Sequence, residues 1–270
     1  MTFRTLAFFA FSAAAAVGQM QDNTEKKLDC REGRWGNDRG GRHCEMKEFT
    51  VAPTGRLDID PGTNGGVSVR GWNQNSVLVR AQIQANADND QEARQIVQQV
   101  QVSTAGSQVR VNGPGMERNR GWGVSFEIFV PHRTSLDVKA FNGGISLSDV
   151  AGDINFKTMN GGVALRRLGG RVKGETMNGG VDVVLAGSRW DGETLDVETT
   201  NGGVKMSVPE NYSARLETST VNGRISIDFP VTVSGDIKSK LSTTLGSGGP
   251  LIRATTTNGG VKISRASQGV

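Results

Sequence analysis

The feature that most constrains this chain is a repeated corner, Asn-Gly-Gly followed by Val or Ile, at Asn64, Asn142, Asn160, Asn178, Asn201 and Asn258. Asn222-Gly223-Arg224-Ile225 is a degenerate seventh copy. From Asn142 onward the copies lie 18, 18, 23, 21 and 36 residues apart, the last interval being twice the first. A near-constant interval of this size is the mark of a stacked repeat, in which one small unit cannot bury its apolar face alone.

Aligning the copies on the Asn exposes a face pattern. Six positions before it stand Leu136, Ile154, Val172, Leu195, Leu216 and Ile252. Three after it stand Ile145, Val163, Val181, Val204, Ile225 and Val261, and five after it Leu147, Leu165, Val183, Met206, Ile227 and Ile263. The positions between are polar, such as Asp137, Asn155 and Lys173 at minus five and Lys139, Lys157 and Glu175 at minus three. Alternation with period two on both sides of the corner predicts strand, turn, strand, with one face buried.

The turn chemistry predicts left-handed backbone angles at the corner, which Asn tolerates and Gly adopts without steric cost. Asn-Gly is also a strong hairpin signal, and a two-residue hairpin would leave the same face buried. Against it stands the repetition of a whole unit with like residues at like positions. Stacked coils would bring these into ladders of Asn, of aliphatics and of Thr (Thr158, Thr176, Thr199, Thr220, Thr256). The expected fold is therefore all-β, a single β-solenoid or β-helix-like repeat domain over residues 136–266. The alternative is an antiparallel β-sandwich, which short strands with Gly turns also fit. Glycine content supports ordered corners: of 37 glycines, 12 belong to the six full motifs.

Residues 1–18 read as a secretory signal peptide, with Arg4 in the basic part, an apolar run from Thr5 to Ala16, and small residues at Ala14, Ala16 and Gly18. The run is shorter than the roughly 20 residues a membrane span needs. No other segment reads as a span, so the mature chain is expected to be exported, to the periplasm, the medium or the cell surface. Residues 19–49 form an N-terminal segment in which Cys30 and Cys44 read as a disulfide closing a Gly- and Arg-rich loop. A metal site at Cys30, His43 and Cys44 is disfavoured, because adjacent His43 and Cys44 do not easily face one ion.

Residues 50–135 form a less regular part of the same stack, with strand patterns at 56–60, 67–70, 77–83, 109–111 and 123–130. One short helix is expected over 88–101, with Asp88 as N-cap and Ala93, Ile96, Val97 and Val100 on one face. It would cap an open end. Asp88-Asn89-Asp90 is not a calcium loop, since Ala93 and Gln99 stand where that loop needs Gly and Glu. Residues 231–249 fill one coil's length without the motif, and 245–250 reads as a protruding loop.

Chemistry is thinly represented. There are two histidines, His43 and His132, and no nucleophile elbow, zinc-protease motif or phosphate loop. No cofactor is implied. The net charge of +4 is interspersed with acids, which is no nucleic-acid footprint. Two readings follow: a non-enzymatic exported adhesin-like binding or envelope scaffold protein, or a carbohydrate-active β-helix enzyme of the cell envelope. Trp190, in an excursion from the regular coil, and Tyr212 are the candidate ligand contacts, since such rings stack on sugars.

These residues also carry a resemblance. The signal peptide, Cys30 with Cys44-Glu45, Asn64-Gly-Gly-Val67 before Gly71-Trp72, Glu127-Ile128-Phe129-Val130-Pro131 and the ladder to Val261 resemble a bacterial putative-adhesin family of unknown function. Its relatives include the β-solenoid heads of auto-transporter-like adhesins. The resemblance spans roughly residues 45–265. It implies a β-solenoid and a surface, glycan or envelope protein ligand, and it transfers no site residues.

Overall fold

The computed structural model describes residues 28–30, 40–231, 233–234 and 239–266. The expected signal peptide at 1–18 lies outside the described residues, as does the middle of the loop between Cys30 and Cys44. The N-terminal part contains β1 (Gly41–Val51), β2 (Arg56–Asp60), β3 (Val67–Trp72), β4 (Val77–Ala87), helix α1 (Asp90–Gln99), β5 (Gln101–Ser103), β6 (Gln108–Asn112) and β7 (Gly121–Pro131). The repeats follow as β8 (Ser135–Asn142), β9 (Ile145–Ser148), β10 (Ala151–Asn160), β11 (Val163–Arg166), β12 (Gly169–Asn178), β13 (Val181–Val184), β14 (Thr194–Asn201) and β15 (Val204–Val208). Then come β16 (Ala214–Asn222), β17 (Ile225–Ile227), β18 (Val233–Ser234), β19 (Lys240–Leu245), β20 (Leu251–Asn258) and β21 (Val261–Arg265).

These strands form two large sheets. One has ten strands in the order β1-β4-β7-β3-β9-β11-β13-β15-β21-β17, the other eleven in the order β18-β19-β16-β20-β14-β12-β10-β8-β2-β6-β5. Each Asn-Gly-Gly corner joins a strand of the second sheet to one of the first, so the two strands of a unit do not pair with each other. The hairpin reading fails at this point. Pairing runs instead between units, parallel and in register, as in Leu136↔Ile154, Ile154↔Val172 and Val172↔Leu195. The minus-six, plus-three and plus-five aliphatics meet between the sheets in one continuous core, from Leu57 and Val69 through Leu165 and Met206 to Ile263.

The order of units differs from their order in sequence at both ends. β2 and β3 lie between β6/β7 and β8/β9, and β20 and β21 lie between β14/β15 and β16/β17. Both the first and the last unit are thus internal. The 36-residue interval before Asn258 is explained: β18 and β19 turn back antiparallel outside β16, and the chain then inserts its last unit beneath. The expected protruding loop at 245–250 is a tight turn, closed by Gly248 N–H on Leu245 O (2.9 Å).

At the other end, β4 pairs antiparallel with β7 and β1 antiparallel with β4, extending the ten-stranded sheet. Helix α1 packs beneath them through Ala93 and Val97 and covers apolar surface past the end of the second sheet. Its N-cap is Asn89 rather than Asp88, the Asn89 side chain accepting from Glu92 N–H (3.0 Å). Arg80 on β4 ties the edge together, bonded to Glu48 of β1 (2.8 Å) and Glu127 of β7 (3.1 Å). These carboxylates raise its pKa, against a smaller opposing effect of burial. Cys30 and Cys44 form a disulfide that anchors residues 28–30 to β1.

Candidate functional site

The corner is built by three stacked sets of groups. The asparagines form one unbroken file: Asn142 donates to Asn64 (3.1 Å), Asn160 to Asn142 (2.8 Å), Asn178 to Asn160 (2.8 Å), Asn201 to Asn178 (2.9 Å), Asn258 to Asn201 (2.8 Å) and Asn222 to Asn258 (2.8 Å). Asn64 ends the file on Trp122 O (3.3 Å). Inside it the buried threonines donate to the first-glycine carbonyl of the neighbouring unit, as in Thr158 to Gly143 O (2.9 Å) and Thr176 to Gly161 O (2.9 Å).

The corner glycines answer chiefly to sterics, with a positive φ added at Gly65 (149°) and Gly259 (156°). None of the corner asparagines has a positive φ, and among the described residues the non-glycine residues that do are Asp149 and Arg167, at the opposite edge. A Cβ on the first glycine of a corner would land on the neighbouring unit's backbone, 2.0 Å from Gly65 O at Gly143 and 2.1 Å from Gly143 O at Gly161. A Cβ on the second meets the next unit at 3.1 Å at Gly144 and 3.6 Å at Gly162. Arg224 fills that second position in the last unit of the stack, where no further unit lies beyond β17 in the sheet. The left-handed geometry expected from the sequence is thus absent at the asparagines and present among the first glycines at Gly65 and Gly259, while close stacking of backbone accounts for Gly143 and Gly161.

The second glycines and the residues two positions on form the floor of a groove on the outer face of the ten-stranded sheet. Its volume is about 1160 Å³, and its rows run from Ser125 and Gly66/Ser68 through Gly144/Ser146, Gly162/Ala164, Gly180/Asp182, Gly203/Lys205 and Gly260/Lys262 to Arg224/Ser226. Leu28 closes onto the same groove. The seven strand-to-strand steps from β7 to β17 give it a length of roughly 34 Å at ~4.8 Å each. Its floor is glycine, serine and alanine over much of its length, so it is a flat trough and not a closed pocket.

Charges on the outer face of the eleven-stranded sheet are largely consumed by neighbouring units. Lys157 pairs with Glu175, Arg171 with Asp153, Arg56 with Asp137, and Arg253 with both Asp196 and Glu217. At the far corner Arg167 grips Asp149 (2.6 Å), which raises the Arg167 pKa through the hydrogen bond. Asp137, Asp153, Glu175, Asp196 and Glu217 thus each face a cation of a neighbouring unit, whereas glycoside hydrolysis uses two carboxyl groups converging on one bond.

The aromatic contacts expected from the sequence are elsewhere. Trp190 is 4% exposed and Tyr212 2% exposed, both in the core. The excursion that carries Trp190 folds back so that its indole N–H reaches Gly170 O (2.9 Å). Trp122 is buried with its N–H on Pro114 O (2.8 Å), and Trp72 packs beside Phe129. What the outer surface offers instead is the groove and, next to the asparagine file, exposed Phe141 and Met177. His132 lies apart from the groove, its ring nitrogens on Asp149 O and Asn73 Oδ1. Among the described residues no helix is long and apolar enough to cross a membrane, and no His, Cys, Asp or Glu cluster is arranged to hold a metal.

The chain is similar to several solved structures. One is a putative cell adhesion protein from Clostridium sporogenes, at 12% identity over 83% of this chain and 100% of that one, with a TM-score of 0.47. A putative adhesin from Bacteroides fragilis matches at 12% identity over 83% and 97%, with a TM-score of 0.32. A putative lipid binding protein from Parabacteroides distasonis matches at 9% identity over 83% and 97%, with a TM-score of 0.23. No curated protein matches the chain by sequence. The Toastrack DUF4097 family model matches residues 97–264, well over half the chain and nearly all of the repeat region, and the chain belongs to that family.

Proposed function

We propose that the chain is an exported β-solenoid acting as a non-enzymatic, adhesin-like binding or scaffold module of the cell envelope. The observation that carries this reading is the division of labour within each unit. Residues that repeat from unit to unit are used in stacking, while those that vary face outward on a long, flat, regularly ruled surface. Such a surface suits an extended ligand bound along several units, whether glycan or envelope protein. Parallel in-register pairing of successive units supports the solenoid description and the proposed likeness to auto-transporter-like adhesin heads. The Cys30–Cys44 disulfide supports an oxidising compartment.

The test is binding of the purified mature chain to a glycan array and to solubilised envelope fractions, with polysaccharide degradation assayed in parallel. Specific retention without turnover is expected. Turnover abolished by a single carboxylate substitution would replace this reading with that of a carbohydrate-active enzyme.

A further inference from the structure

The groove on the ten-stranded sheet is electrically lopsided. Its β7 end is lined by Ser68, Ser146 and Ala164, whereas Lys205, Lys262 and Arg224 come from three consecutive units at the β17 end. Lys205 and Lys262 stand directly opposite each other in register, both exposed. Like charges so placed repel and cost stability. Neither lysine, nor Arg224, is in an ion pair among the described residues. The acid that could neutralise Lys205 is Asp182, its in-register neighbour on the other side, but Asp182 is turned to Arg166 (3.4 Å). On the opposite sheet Lys139 and Lys157 are also in register, yet there Lys157 is held by Glu175. The groove therefore concentrates cations where nothing in the fold uses them.

We infer that this groove binds a linear acidic polysaccharide, with Lys205, Lys262 and Arg224 contacting carboxylates or sulfates on successive sugars. This rests on the binding-module reading above and names its site and ligand class. Three features support it. Lys205 and Lys262 stand one ~4.8 Å strand step apart, about the length of one sugar in an extended glycan, and Arg224 lies on the next strand, two residues before Ser226, the partner of Lys262. The glycine and serine floor leaves room for rings lying flat and offers hydroxyls for their polar edges. The eight rows of the trough fit a polymer better than a small ligand.

The experiment is calorimetric titration of the purified mature chain with an oligomannuronate of eight sugars, against neutral manno-octaose. The expected results are binding of the acid oligomer alone, weakening with added salt, and at least tenfold loss of affinity in Lys205→Glu/Lys262→Glu. Ala164→Trp, which fills the neutral floor, should weaken binding comparably, while Lys173→Glu on the opposite sheet should leave it unchanged. All four positions are on outer faces, and unchanged melting temperatures confirm intact folding. Equal weakening by Lys173→Glu, or no binding of the acid oligomer, overturns the inference. So does binding seen only after residues 19–27 are removed, which assigns the groove to the chain's own N-terminal segment. Self-association abolished by Ala164→Trp overturns it in favour of a second copy. Retention of some other envelope ligand, indifferent to the lysine variants, overturns this inference alone and leaves the binding-module reading standing.

Discussion

Replacing Gly161 by Ala, with Gly162→Ala as its partner experiment, separates the two explanations of the Asn-Gly-Gly corner. At Gly161 the new Cβ would sit 2.1 Å from Gly143 O and 2.4 Å from Gly143 C, where ordinary contact begins at 3.4 Å. Both obstacles are backbone, so two units must part locally by more than an ångström. Three bonds cross that gap: Gly143 N–H to Asn160 O (3.0 Å), Thr158 Oγ1 to Gly143 O (2.9 Å) and Asn160 Nδ2 to Asn142 Oδ1 (2.8 Å). Stretched by that amount they leave the range of useful hydrogen bonds. At about 1 kcal/mol each, the loss is about 3 kcal/mol, which for a chain of this size lowers the melting temperature by roughly 6–12 °C. At Gly162 the new Cβ meets Gly180 O at 3.6 Å, an ordinary contact. There the substitution chiefly restricts the unfolded chain, which stabilises by about 0.4–1 kcal/mol. Neither glycine has a positive φ. Thermal and urea unfolding followed by far-ultraviolet circular dichroism measures both variants. Equal losses at the two positions, or none at Gly161, would refute the steric account.

Other perturbations test other layers of the structure. Asn178→Ala removes two bonds of the file, from Asn178 to Asn160 and from Asn201 to Asn178, and should lower stability by about 2 kcal/mol in urea unfolding. Asn222→Ala at the end of the file removes only its bond to Asn258 and should cost less. Burial pushes the phenol of Tyr212 up, and its hydroxyl has no hydrogen-bond partner among the described residues. The folded chain then keeps a proton that the unfolded chain releases above pH ~10. Stability from this group is constant below that pH and falls above it, by at most about 1.4 kcal/mol per pH unit. Tyr212→Phe should flatten that slope, and because the chain has a single Tyr, absorbance titration reads the group directly. Opening the Cys30–Cys44 loop with Cys44→Ser should cost up to about 3 kcal/mol on the chain-entropy model, visible as a melting shift that matches the wild type in reductant.

The repeat made much of the architecture legible, because stacking puts like residues next to like. The alternation around each Asn predicted which aliphatics are buried, and Leu136, Ile154, Val172, Leu195, Leu216 and Ile252 all are. Identity between units also hides information, since any unit can stack on any other without leaving a mark in its own sequence. The insertion of β20 and β21 beneath β16 and β17 was legible only as an interval of double length. β1 was missed because it is an edge strand whose residues are mostly half exposed, so it lacks clean alternation. Trp190 was misplaced because an irregular excursion reads as exposed, although here it returns its ring to the core.

The candidate site depends on that hidden step. Lys205 and Lys262 occupy the same place in their units, but β16 to β19 separate them in sequence, and a stack built in chain order would hold them apart. Insertion of the last unit sets them side by side and puts Arg224 one step further on. The same insertion has a structural reason. A unit at the end of a stack frays most easily, because it has a neighbour on one side only. Enclosing the first and last Asn-Gly-Gly units between others gives each a neighbour on both sides and leaves short strands, β5, β17 and β18, at three of the four sheet edges, with β1 the long one. Short edges also limit pairing with other chains. A topology that secures the ends of the stack thus assembles its cationic groove, and moving the last unit outward would cost the protein both.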